Sequence, residues 1–300
     1  MRQHRLFPAG CRRLVALVGT AALLTIQATL FAAEGESPKT LKVCADPYML
    51  PFSNQKEAGY ENRIAQLFAE KLGWGLTYEW FPQRIGFIRN TLRSENTDGS
   101  FKCDLVISVP EHFELAATTE PYYTSTYVLA FVKGRGLDDV TSPEMLAKVA
   151  EQGRQFRIGL PDQGPAQLWV FRQELMDHMV PYMGQPGDPH ESPGERLMRD
   201  MAAGKIDVSI IWGPSAGYFA EKLKGEAEFV LLNLRDDPKY PDMKFEYSIA
   251  MAVRHGEKDW LNTVNGMIAE NRSAIDAILR DYGVPLLPLK KSPRRDDDDD

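Results

Sequence analysis

Two apolar runs about a hundred residues apart carry the same pattern: Asp104 before Leu105-Val106-Ile107-Ser108-Val109-Pro110, and Asp207 before Val208-Ser209-Ile210-Ile211-Trp212-Gly213-Pro214. Each run follows a segment with helical character and ends at a proline. A short, nearly continuous apolar run between turn residues suits a strand buried on both faces, as in a parallel sheet covered by helices. Its recurrence predicts two similar α/β lobes facing a cleft, the usual place for a ligand.

Periodicity fills in the rest. Leu41–Ala45 reads as the first strand, followed by a polar loop over Asp46–Gly59. Ile64, Leu67, Phe68 and Leu72 recur at helical spacing before Gly73, which predicts a helix over Glu61–Leu72. Leu76, Tyr78 and Trp80 alternate with polar residues as a strand does. Gly86–Arg93 reads as a short helix, Glu95–Phe101 as a turn, and Tyr127–Val132 as a strand. The glycine-rich Lys133–Asp139 is a crossing to the second lobe. There Phe156–Leu160, Asp207–Trp212 and Phe229–Leu234 read as strands, Pro165–His178 and Glu195–Ala203 as helices, and Gln185–Gly194 as loop. Tyr247–Val253 is a strand returning to lobe one, and Asp259–Leu279 supplies the last helices. The β-α-β-α-β order is a doubly wound signature. Met176, Met179 and Met183 read as a core-facing helical stripe, with a soft-metal stripe as the sharper alternative.

Residues 1–33 read as a signal peptide: Arg2, Arg5, Arg12 and Arg13 precede an apolar stretch from Leu14 that ends in small residues at Ala32-Ala33. An uncleaved anchor is the alternative, since the stretch is long enough to span a bilayer. Cleavage would remove four of 35 basic and none of 42 acidic side chains, leaving a net charge of −11. That charge argues against nucleic acid and anionic membrane as partners. The remaining cysteines, Cys44 and Cys103, either pair as an exported disulfide or stay as buried thiols. Residues 290–300 form a charged tail; its Asp296–Asp300 is a solvated, disordered end or an attractor of hard cations.

From Leu41 to Gly283 the chain resembles the family 3 periplasmic solute-binding proteins of ABC transporters. The resemblance is carried by Asp46 through Pro51-Phe52, Gly59-Tyr60-Glu61, Glu70-Lys71-Leu72-Gly73, Cys103-Asp104, Glu120-Pro121-Tyr122-Tyr123 and Tyr247–Val253. It implies an α/β, two-lobed binding-protein fold of type II, with residues 34–133 and 247–289 in lobe one and 134–246 in lobe two. A narrower resemblance, to the MoxJ/XoxJ-type subgroup whose genes accompany quinoprotein methanol dehydrogenases, is carried by several segments. They are Pro51-Phe52-Ser53-Asn54-Gln55, Trp80 through Arg84, Gly86 through Leu92, Trp212-Gly213-Pro214 and Tyr282-Gly283-Val284-Pro285. It implies a periplasmic, non-catalytic accessory that contacts a PQQ-dependent methanol dehydrogenase, with no cofactor or metal of its own.

Amino-acid binders of the wider family clamp a carboxylate with an arginine and an ammonium with an aspartate. Here His112 and Trp212 fall near those places; no arginine lies between Cys103 and Val132, and no acidic residue between Val208 and Phe219. A buried ligand charge without a partner is strongly disfavoured, so an ordinary amino acid is not the expected ligand. The expected cleft residues are Phe52, Glu61, Tyr122, Tyr123 and Trp212 together with Arg84 and Arg89. The aromatics suit a planar ligand or a partner side chain, and the arginines a carboxylate. The alternative is that these residues pack the lobe interiors and make surface ion pairs. Glu111 and His112 can serve as an acid–base pair or lie in a surface loop. No zinc helix, nucleophile elbow, phosphate loop or haem motif is present in the sequence. Two further functions remain open: a transport receptor for a small organic acid or PQQ-like solute, and an enzyme like cyclohexadienyl dehydratase.

Overall fold

The computed structural model describes residues 39–289 except 163 and 186. The expected signal peptide and the tail from Lys290 lie outside these residues. The strands are β1 (Thr40–Ala45), β2 (Tyr48–Met49), β3 (Ser53–Asn54), β4 (Gly75–Trp80), β5 (Leu105–Pro110), β6 (Ala117–Thr118), β7 (Tyr123–Val132), β8 (Ile158–Pro161), β9 (Met179–Tyr182), β10 (Val208–Trp212), β11 (Phe229–Asn233) and β12 (Glu246–Val253). The helices are α1 (Tyr60–Leu72), α2 (Phe87–Asn90), α3 (Met145–Glu151), α4 (Pro165–Arg172), α5 (Pro193–Ala202), α6 (Gly213–Lys222), α7 (Lys258–Glu270) and α8 (Arg272–Asp281).

Local chemistry explains the elements that frame the cleft. Helix α1 begins at Gly59, where a Cβ would stand 2.0 Å from the Phe52 carbonyl oxygen, so only glycine fits. The Asn62 side-chain oxygen accepts from the Gly59 and Asn54 amides, each at 3.1 Å, and fixes the turn. Gly73 ends the helix in the left-handed region at φ 67°. Helix α5 is started by Ser192, whose hydroxyl accepts from the Glu195 amide, with Pro193 at the first position.

The main sheet has the order β4-β1-β5-β12-β7-β10-β8-β9, with β6 on β12 and β11 on β7. The two repeated apolar runs occupy equivalent places. β5 lies between parallel β1 and antiparallel β12, and β10 between parallel β8 and antiparallel β7. The aspartate ahead of each run holds an arginine: Asp104 pairs with Arg254 at 2.8 Å and Asp207 with Arg157 at 2.9 Å. The passage between halves is made inside β7. Residues 123–126 pair with β12, residues 127–131 with β10 and residues 128–132 with β11. The glycine-rich Lys133–Asp139 follows that passage. The first half is filled around Tyr60, Ile64, Phe68 and Met251, and separately around Phe87, Ile88, Leu92 and Val106. The second half is filled on its two faces around Leu129, Phe131 and Trp169, and around Val128, Met198 and Phe219.

Two expectations are corrected. The segment after Arg172 is not helix: Glu174 adopts φ 58°, a single 3-10 turn follows, and Met179 opens β9. Met176 and Met183 are therefore exposed rather than a core stripe. Helix α6 directly after Trp212, with Pro214 in its first turn, lacks the apolar periodicity that would have announced it. Cys44 and Cys103 form a disulfide beside the β1–β5 pairing, closing 59 residues. Among the described residues, no helix is long and apolar enough to cross a membrane.

Candidate functional site

The cleft lies where β5, β7, β10 and β12 end, and its back wall is aromatic. Trp212 closes β10 and pairs in register with Tyr127 of β7. Its ring centroid is 5.4 Å from that of Tyr127 and 5.9 Å from that of Tyr247, both edge-to-face. Phe52, Pro110, Ser215 and Ile249 complete a cavity of 490 Å³ around these three rings. None of its lining residues is an acid or a base. Burial pushes the Tyr127 hydroxyl up to about 12, and Tyr247 adds to the shift, so both rings stay neutral in any ordinary buffer.

Of the residues expected in the cleft, Phe52 and Trp212 line this cavity. Tyr122 and Tyr123 do not: both are buried in the first-half core. Their hydroxyls are used internally, Tyr122 with Ser108 at 3.0 Å and Tyr123 with Tyr60 at 2.9 Å. Glu61 is buried as well, at the start of α1. One of its carboxyl oxygens has no hydrogen-bond partner among the described residues. Burial raises its pKa to about 7, partly offset by a hydrogen bond from Ser108 and reinforced by nearby Asp46. Asp46 is itself raised by burial, against amide hydrogen bonds from Gln83 and Tyr48 and the charge of Arg84.

The basic residues stand outside the cavity. Arg84 reaches from the first half to the second and donates to the carbonyls of Asp188 at 2.9 Å and Gly187 at 3.4 Å. Tyr48 meets His190 beside it, with ring centroids 3.9 Å apart. Arg89 is exposed on α2. Glu111 and His112 are in the loop after β5, 3.8 Å apart, with the His112 side chain half exposed and its backbone at φ 61°. Among the described residues, no cluster of three metal-ligating side chains occurs. The residues that sequence reasoning missed are Tyr127, Tyr247 and Ser215. The two tyrosines are visible in the sequence only as members of strands that pass between the halves.

A second cavity, of 310 Å³, opens from the same wall into the second half and shares Tyr127, Trp212 and Ser215 with the first. The starts of α4, α5 and α6 surround it: Gly164 and Ala166, Pro193 and Gly194, Trp212 and Ser215.

Behind the cleft, α6 is fastened to the segment after α8. A Cβ on Gly213 would stand 2.4 Å from Pro285 Cγ and 2.4 Å from the Thr126 carbonyl oxygen. Ser125 donates to the Pro285 carbonyl at 2.8 Å, and Leu287 bridges to Thr124. The Trp212-Gly213-Pro214 and Tyr282-Gly283-Val284-Pro285 segments, far apart in sequence, are therefore one packed joint.

Two α/β halves joined through a shared strand, with an aromatic cleft between them, define a two-lobed periplasmic binding protein of type II. No protein-family model matches the chain. It is 31% identical to the periplasmic binding protein XoxJ from Methylobacterium extorquens AM1, over 83% of this chain and 100% of that one, with a TM-score of 0.65. Protein MoxJ of Methylorubrum extorquens is 27% identical over 293 residues, 94% of this chain and 93% of its own. MxaJ from Methlophaga aminisulfidivorans, 21% identical with a TM-score of 0.65 over 82% of this chain and 100% of its own, shares the fold. The chain belongs to the MoxJ/XoxJ-type family of periplasmic binding proteins.

Proposed function

We propose that this protein is a non-catalytic periplasmic accessory that matures or activates a PQQ-dependent methanol dehydrogenase by direct contact. The observation that carries the reading is the wall of the main cleft: three aromatic rings, Phe52 and no ionisable acid or base. A free amino acid would bury both of its charges there without partners, a cost its few contacts do not offset. An aromatic, desolvated concavity instead suits the apolar anchor of a protein partner. The joint between α6 and the segment after α8 supports the same reading, because it restrains the hinge movement on which a transport receptor depends.

The test is retention of purified quinoprotein methanol dehydrogenase on immobilised mature protein at micromolar concentration. Specific retention, weakened by Trp212→Ala, is the expected result. If the enzyme flows through while an organic acid raises the melting temperature, the protein is a receptor for that solute and the accessory reading fails.

A further inference from the structure

We infer that strand β11 is a pairing edge for a second copy of this chain, joining two molecules through their own β11 strands across a two-fold axis. β11 (Phe229–Asn233) bonds to β7, and among the described residues no strand lies on its other side. The ladder fixes which groups face that open side. The Lys133 amide donates to the Glu228 carbonyl at 2.8 Å, and the Leu234 amide to the Tyr127 carbonyl at 2.9 Å. Residues 228 and 234 therefore sit at positions bonded to β7, and by alternation so do 230 and 232. The amides and carbonyls of Phe229, Leu231 and Asn233 point the other way, and among the described residues no hydrogen bond reaches them. Asn233 is exposed and the other four residues are half-buried.

Sheet edges are commonly protected from pairing by a charge or a proline. At the two ends of the main sheet, β4 carries Glu79, held by Lys102 at 3.4 Å, and β9 carries Pro181. β11 reads Phe-Val-Leu-Leu-Asn and has neither. Its side chains also specify the occupant. Val230 and Leu232 pack on the core around Leu129 and Phe131, while Phe229 and Leu231 pack on the core around Val128 and Met198. A strand added here meets half-buried apolar side chains on both faces, so it must itself be apolar on both. A strand that alternates apolar with polar residues covers only one of them. β11 of a second copy covers both, and its register is self-complementary. With Leu231 opposite Leu231 and Phe229 opposite Asn233, antiparallel pairing sets every outward amide against an outward carbonyl. No charged residue lies within the strand, so no like charges meet at the axis. A contact between two strands of 5 residues buries less than the roughly 800 Å² per partner of a stable interface, so the dimer forms at high concentration only. The edge belongs to the second half alone and does not depend on what the cleft binds.

The experiment is sedimentation equilibrium of the purified protein over a range from about 5 μM to about 1 mM. A monomer at the low end and a dimer at the high end are expected, with a dissociation constant on the order of 100 μM. Asn233→Pro removes an outward amide that takes no part in the β7 ladder. It should leave the melting temperature nearly unchanged and weaken the dimer by roughly tenfold or more, since the axis repeats the loss. Leu231→Lys and Leu231→Glu should each be monomeric alone and associate when mixed, because position 231 faces itself across the axis. A monomer throughout the range overturns the proposal. So does a dimer of unchanged strength in folded Asn233→Pro, or a pair of folded charged variants that stay apart when mixed. The concentration series on the unaltered protein, with Asn233→Pro beside it, decides the matter even if a charged variant fails to fold.

Discussion

Gly217 of α6 and Gly283 beyond α8 meet backbone to backbone: a Cβ on Gly217 would fall 1.9 Å from the Gly283 carbonyl oxygen. Neither chain can move away easily, because Gly213 is wedged against Pro285 on one side and Tyr218 stacks on Tyr282 on the other, with centroids 5.8 Å apart. Replacing Gly217 with alanine should therefore destabilise the protein by about 1–3 kcal/mol, the usual cost of forcing extra volume into a closed contact. Urea unfolding of Gly217→Ala measures it. An unchanged midpoint would mean that α6 is not seated against this segment.

Glu61 makes stability depend on pH in a defined window. Its pKa is about 7 in the folded protein against 4.5 as the reference for an exposed chain. Between these values the folded state holds a proton that the unfolded state has released, so stability from this group falls as pH rises. The contribution is full below pH 4.5 and is lost through about pH 7, an amount of roughly 3 kcal/mol at most from the size of the shift. Glu61→Gln should flatten this part of the profile and make the variant the more stable protein at pH 8. Denaturant titrations of both proteins from pH 5 to 8 would refute the idea if the two curves ran parallel.

The disulfide should matter to stability out of proportion to its size. Closing 59 residues restricts the unfolded chain by roughly 4 kcal/mol on chain-entropy grounds, and native bridges commonly deliver 2–5. The double variant Cys44→Ala, Cys103→Ala should lose about that much in guanidinium unfolding.

Arg84 should act on mobility more than on stability. It donates to two carbonyls of the loop over residues 185–191 from the other half of the molecule. Exposed contacts of this kind contribute less than about 1 kcal/mol. Arg84→Ala should leave the melting temperature nearly unchanged while hydrogen exchange across residues 184–191 speeds up. A large fall in melting temperature would instead assign Arg84 a structural role.

The parts legible in the sequence were those set by local patterns. The two apolar runs behind Asp104 and Asp207 announced β5 and β10, and Ile64 and Phe68 before Gly73 announced α1. What stayed hidden depends on contacts between distant segments. Tyr122 and Tyr123 read as stacking residues, yet the hydroxyls of Ser108 and Tyr60 hold them in the core. Ser215 carries no pattern of its own and gains meaning only when α4 and α5 begin beside it. Helix α6 was missed because its buried residues include two glycines and a proline, chosen for close approach and not for hydrophobic periodicity.

The position of the passage within β7 has an architectural consequence. Tyr127 and Phe245 mark the two ends of the second half, and the Tyr127 amide donates to the Phe245 carbonyl at 3.2 Å. The buried residues of both its hydrophobic clusters, and every residue lining its 310 Å³ cavity, fall within the span from Tyr127 to Phe245. The second half is thus an insertion whose entry and exit touch. Such a piece can be exchanged between related genes as a block, its cavity included, while the receiving chain keeps its disulfide and its own core.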